Sequence, residues 1–127
     1  LAVNGTIGAK EVIVTNTGWA DCVFKPGYKL LPLSQLDVYI RENQRLPGIP
    51  SEEDVKENGV NIGELQVKLL AKIEELTLHM IEMDERNSEL EQQNRELREQ
   101  NQIIQGRVDA LESKLVVVDR RADLRRP

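Results

Sequence analysis

IGELQVKLLAKIEELTLHMIEMDERNSELEQQNRELREQNQIIQGRVDALESKLVVV, residues 62–118, is the stretch that decides the fold. With Ile73 taken as heptad position a, the d positions are Ile62, Leu69, Leu76, Met83, Leu90, Leu97, Ile104, Leu111 and Val118, all of them apolar. The a positions are Gln66, Ile73, Met80, Asn87, Asn94, Asn101, Val108 and Leu115. A seam this narrow predicts a coiled coil rather than the wider apolar face of a helix packed on its own domain. Asn61 can open the helix, with Glu64 at the capping-box position three residues later, so one helix is expected over 61–119. At ~1.5 Å per residue the seam is a rod about 85 Å long, more than residues 1–60 can cover. Its apolar stripe therefore calls for further copies of the same chain. Gly106, at an f position, weakens the helix by about 1 kcal/mol and does not break it.

The charges beside the seam choose the orientation. Arg86, Arg107 and Lys114 stand at g, and Glu91, Glu112 and Asp119 stand at e one heptad on. In a parallel, in-register assembly each g faces the e of the next heptad on a neighbour, so all three pairs join opposite charges. An antiparallel arrangement would set cation against cation. Each exposed pair contributes only about 0.2–1 kcal/mol, so the pairs select direction more than they supply stability. Asn87, Asn94 and Asn101 put amides into three successive a layers, where a slipped register would leave them facing hydrocarbon; they read as register pins. Ile and Val at a with Leu at d lean toward two strands. The N-terminal segment favours three, because a lone strand with one apolar face packs well in a three-chain prism.

Only 3% of the 127 residues are aromatic, and Trp19, Phe24, Tyr28 and Tyr39 all precede residue 40, so any ordinary core belongs to the first half. Alternation over residues 1–14, shifting phase near Val12, predicts an extended strand that pairs with other chains. Asn16-Thr17-Gly18 and Pro26-Gly27 read as turns. Ser34 followed by Asp37, and Ser51 followed by Asp54, predict two short capped helices. The first would reach about Asn43, and the second would end at Gly59 in a left-handed cap. Leu46-Pro47-Gly48-Ile49-Pro50 between them cannot be helical. Trp19, Phe24, Leu36, Tyr39, Ile40, Leu46 and Ile49 are the expected core of this collar.

The bulk properties exclude several classes of function. The net charge of −5 argues against a nucleic-acid partner, since phosphate binding needs clustered Lys and Arg. No run is apolar enough to span a bilayer, and no signal peptide is legible at the start. The chain opens on Leu1-Ala2-Val3 without an initiator Met, which reads as the C-terminal piece of a longer protein. Cys22, the single cysteine, is expected to be a small buried apolar residue. His79, the single histidine, falls at a g position beside Asp84 of a neighbour and is expected in solvent, with no second ligand for a metal. Nothing has metal or phosphate-loop spacing, so no cofactor and no enzyme activity are expected. Arg120, Arg121, Arg125 and Arg126 form a basic tail suited to a helix C-terminus.

Leu1-Ala2-Val3-Asn4-Gly5-Thr6-Ile7, Gly18-Trp19-Ala20-Asp21, Leu46-Pro47-Gly48-Ile49-Pro50-Ser51 and Lys72-Ile73-Glu74-Glu75-Leu76-Thr77-Leu78 resemble the C-terminal region of bacterial tail-fibre-like surface proteins of the Bacteroidetes type. The resemblance covers about residues 1–81; beyond it the helix matches only as a generic coiled coil. Cys22 departs from the pattern, where an aromatic residue is expected. In architecture the chain is also similar to the intramolecular chaperone domains of phage fibres and endosialidases, some of which cleave themselves with a Ser and Lys pair. Here the junction Thr17-Gly18-Trp19-Ala20-Asp21 holds no Ser-Asp pair and is followed by no Lys until Lys25, which argues against self-cleavage. The resemblance implies an exported, cell-surface or virion-associated fibre, trimeric, whose last segment caps it and registers its chains.

The expected architecture is therefore mainly α: a fibrous, parallel homotrimeric coiled coil, with a dimer as the runner-up. Residues 1–18 form an interchain β segment, 19–60 a collar with two short helices, 61–119 the coiled coil and 120–127 the tail. The expected function is trimerisation and registration at the end of a fibre, with upstream fibre domains of the same protein as partners. The alternatives are a self-cleaving chaperone and an adhesin tip that binds a surface receptor or glycan.

Overall fold

The computed structural model describes residues 1–15, 19 and 22–126. The chain is mainly helical, as the periodicity predicts, with three helices in the order α1 (Leu33–Asn43), α2 (Glu52–Asn58) and α3 (Ile62–Leu124). Two compact units divide it, Leu1–Met80 and Ile81–Pro127, and α3 contributes residues to both.

Helix α1 begins earlier than Ser34 implies. Pro32 is its N-cap, with φ −56° and no side-chain cap, and its carbonyl accepts the N–H groups of Gln35 and Leu36 at 3.0 Å each. Proline suits this boundary because it fixes φ near the helical value. Ser34 is thus inside the first turn rather than capping it, and Asp37 instead pairs with Arg41 at 2.9 Å, one turn on. The helix ends at Gln44, a non-glycine residue in the left-handed region with φ +53°.

Two Pro-Gly turns shape the collar. Tyr28 N–H donates to the Lys25 carbonyl and Ile49 N–H to the Leu46 carbonyl, each at 3.2 Å, with Gly27 and Gly48 at φ +84° and +77°. Proline at the second position and a positive-φ glycine at the third are what a type II turn requires. The turn expected at Asn16-Thr17-Gly18 lies outside the described residues.

The start of α2 follows its sequence signal. Ser51 Oγ accepts the Asp54 N–H at 3.1 Å, and Asp54 Oδ2 accepts the Ser51 N–H at 3.1 Å, a reciprocal capping box. Hydrogen bonds from the Ser51 side chain and then its backbone hold the Asp54 carboxyl below the usual carboxylate range. That contribution is present at neutral pH and fades as acid protonates Asp54. Gly59 closes α2 at φ +70° but with ψ −172°, so it takes a positive φ without the expected left-handed cap. The start of α3 is capped by Asn61, whose Oδ1 accepts the Glu64 N–H at 3.2 Å.

Three further regions are seen here in the single chain alone. Among the described residues there is no strand, and residues 1–15 are exposed and without regular structure; a strand needs neighbours to take its N–H and C=O groups, and one chain supplies none. Helix α3 continues to Leu124, so residues 120–124 of the expected tail are helical. No breaker intervenes, and Arg121 sits in the last turn, where a cation is favourable. The seven-residue collar core does not form within one chain either. Trp19 and Phe24 are 62% and 57% exposed, Ile40 and Leu46 are exposed, and Leu36, Tyr39 and Ile49 are only half-buried. Among the described residues Val23 is the one buried apolar side chain, and Cys22 beside it is exposed rather than buried as expected, because no collar core closes over it within one chain.

Candidate self-association surface

In the first unit α3 carries two apolar stripes. Val67, Leu70, Ala71 and Leu78 recur at helical spacing and are half-buried, whereas every described residue from Ile81 to Arg126 is exposed. The cover on this stripe therefore comes from the segment before α3. Tyr28 marks where that segment reaches the helix: its Oη donates to Glu75 Oε1 across 47 positions of sequence. Lys72 Nζ holds the other Glu75 oxygen at 3.0 Å, with both side chains less than a quarter exposed. His79 is also buried, at 7% exposure, which corrects its placement in solvent. The collar reaches the g side of the helix at this height, and the heptad pattern alone could not show that.

The bond to Glu75, then burial and the charge of Glu75, push the Tyr28 phenol from its usual 10.0 up to about 12. A raised phenol pKa means that the tie stabilises the fold fully below pH 10 and is lost as pH rises through about 12. In a Tyr39→Phe chain, the phenolate absorbance of Tyr28 should have its midpoint near 12; a midpoint near 10 would refute the tie. Tyr28→Phe should cost about 1 kcal/mol, below the ~1.5–3 kcal/mol of a bond to a charged group because the pair is partly solvated.

The seam predicted from the heptads occupies a different face and is left open. In the first unit Ile62, Leu69, Ile73, Leu76 and Met80 are 44% to 62% exposed. In the second, Met83, Leu90, Leu97, Ile104, Val108, Leu111, Leu115 and Val118 are 40% to 63% exposed. Asn87, Asn94 and Asn101 are exposed on the same stripe. Among the described residues no intrachain ion pair engages Arg86, Arg107, Lys114, Glu91, Glu112 or Asp119. Among the described residues these six flanking charges are thus not spent on intrachain ion pairs, unlike Lys72 at g, which holds Glu75.

Beside the upper part of the seam lies an open groove of about 520 Å³. One wall is α3 itself, with Leu69, Lys72, Ile73 and Leu76; the other is the collar, with Leu33, Leu36, Leu46 and Pro47. Its surface is overwhelmingly hydrocarbon. Among the described residues no cluster of His, Cys, Asp or Glu could hold a metal ion, and no helix is long and apolar enough to cross a membrane.

What the fold and this surface define is a chain dominated by one long helix whose heptad stripe is exposed among the described residues. No protein-family model, curated protein or solved structure matches it.

Proposed function

We propose that the chain is a structural trimerisation and registration domain, which joins parallel copies of itself through α3 and caps a fibrous surface or tail-fibre-like protein. The observation that carries this reading is the uncovered a and d stripe of α3, apolar at every d position from Ile62 to Val118. A stripe of large apolar side chains at every d position, joined by Ile73, Met80, Val108 and Leu115 at a, is stable in water only when another helix covers it. The unspent charges at e and g support a parallel, in-register arrangement. Trp19 and Phe24, exposed in one chain, would be covered in an interleaved collar that hands registered strands from residues 1–15 to upstream fibre domains. An exported location, on a cell surface or a tail-like particle, goes with that role.

The test is absolute mass in solution, by light scattering, for the whole chain and for a fragment from Asn61 onward. Three copies in both supports the reading, and a dimeric fragment beside a trimeric chain assigns the number to the collar. A whole chain of single-copy mass at tens of micromolar refutes it. A second reading draws on the exposure of Trp19 and Phe24, 62% and 57%: aromatic faces open to solvent suit a receptor or glycan. If they remain accessible to a collisional fluorescence quencher in the assembled protein, the binding role gains over the purely structural one.

A further inference from the structure

We infer that the groove between α1 and α3 is a socket for Ile73 of a second copy, so that the collar of one chain clasps the α3 of its neighbour. The inference rests on the proposed parallel assembly and adds a part to it. In a parallel coiled coil each a side chain enters a hole made by four residues of the facing helix. For an in-register neighbour's Ile73, those four are the preceding d and g, the same a and the following d: Leu69, Lys72, Ile73 and Leu76. All four line the groove.

The groove is therefore a hole of the seam that has gained an extra wall. Leu33, Leu36 and Leu46 supply it, and they stand on the g side, where the neighbour's e residues approach. The flanks change character at this height. Lower on the helix, g and e of facing heptads are opposite charges, as in Arg86 with Glu91. At the groove the g and e that face each other across the seam are Lys72 and Thr77, which are not opposite charges, and one heptad earlier they are Leu65 and Leu70, both apolar. Leu33 and Leu46 are 48% and 39% exposed in the single chain, so each has area to bury against a neighbour. A seated helix removes them from water without moving α1.

Single-cysteine chains in a Cys22→Ser background test this directly, with two chains of different tag length refolded together and treated with a short bis-maleimide. Ile73→Cys alone should link 73 to 73 across the seam. Ile73→Cys mixed with Leu33→Cys should give, in addition, a mixed-tag product that joins 33 of one chain to 73 of the other. In parallel, the double substitution Leu33→Ser with Leu46→Ser should retain the helical circular dichroism of the chain. It should also raise the concentration for half-association at least about tenfold. The mixed-tag link together with that weakening establishes the clasp. A 73-to-73 link without the mixed-tag product, and unchanged association of the double variant, overturns the clasp while leaving the coiled coil intact. No link of either kind, with single-copy mass for the unsubstituted chain, overturns the assembly itself.

Discussion

Replacing Asn87, Asn94 and Asn101 together with isoleucine is expected to raise the melting temperature of the assembly and to blur its copy number. In the single chain these amides are exposed and solvated; in the proposed seam each gives up water for one or two amide neighbours. Exchanging a buried polar layer for hydrocarbon of similar volume stabilises by about 1–4 kcal/mol in comparable cases. Even ~1 kcal/mol per layer, at roughly 2–4 °C for each in an assembly of this size, predicts a rise of roughly 6–12 °C over three layers. Specificity falls as stability rises. Isoleucine at a above leucine at d favours two strands, so light scattering of the triple variant should detect two-chain species beside three-chain ones. A lower melting temperature would sink the register-pin reading, because it would mean that the amides stabilise the seam.

The opposite result is expected when Leu90 and Leu97 both become aspartate. Each leucine buried in the seam supplies about 1.5–3 kcal/mol per chain, and a carboxylate in its place either pulls water into the layer or must be protonated. Three copies multiply the loss, which exceeds what the flanking ion pairs can restore. The variant should be a single-copy species at tens of micromolar. It should also lose a large part of its far-ultraviolet helical signal, because residues 81–126 are exposed throughout and an isolated helix has little to hold it. Gln102→Asp, at an outer b position, is the control and should change neither mass nor helicity. Full-length helicity in the single-copy double variant would show that α3 stands without partners.

These two experiments address the part of the molecule most legible in the sequence. Periodicity is a property of one helix and needs no knowledge of tertiary contacts, so the course of α3 through residues 62–118, its Asn61 cap and the Ser51-Asp54 capping box could be read directly. The start of α1 was hidden because Pro32 took the boundary that Ser34 also suits, and proline leaves no side-chain cap to recognise. The second stripe on α3 was obscured by Lys68, Lys72, Glu74 and Glu75 interleaved with Val67, Leu70, Ala71 and Leu78, which make that face look solvated. Glu75 proves to be the acceptor for Tyr28, and a contact across 47 residues leaves no periodic trace. His79 was misplaced for the same reason: its g position implies water only where nothing else in the chain folds back. Strand formation in residues 1–15 depends on neighbours that a single sequence does not contain.

The boundary near Met80 has a consequence in time. Up to that point α3 meets its first partner within its own chain, an encounter whose rate is independent of how many chains are present. Beyond it every described residue of the helix is exposed, and in the proposed assembly its completion is a collision between molecules. The two ends of one helix would then mature by reactions of different order: dilution leaves the first untouched and delays the second, so a scarce chain would sit with its Tyr28–Glu75 tie made and its rod unfinished until a companion arrived.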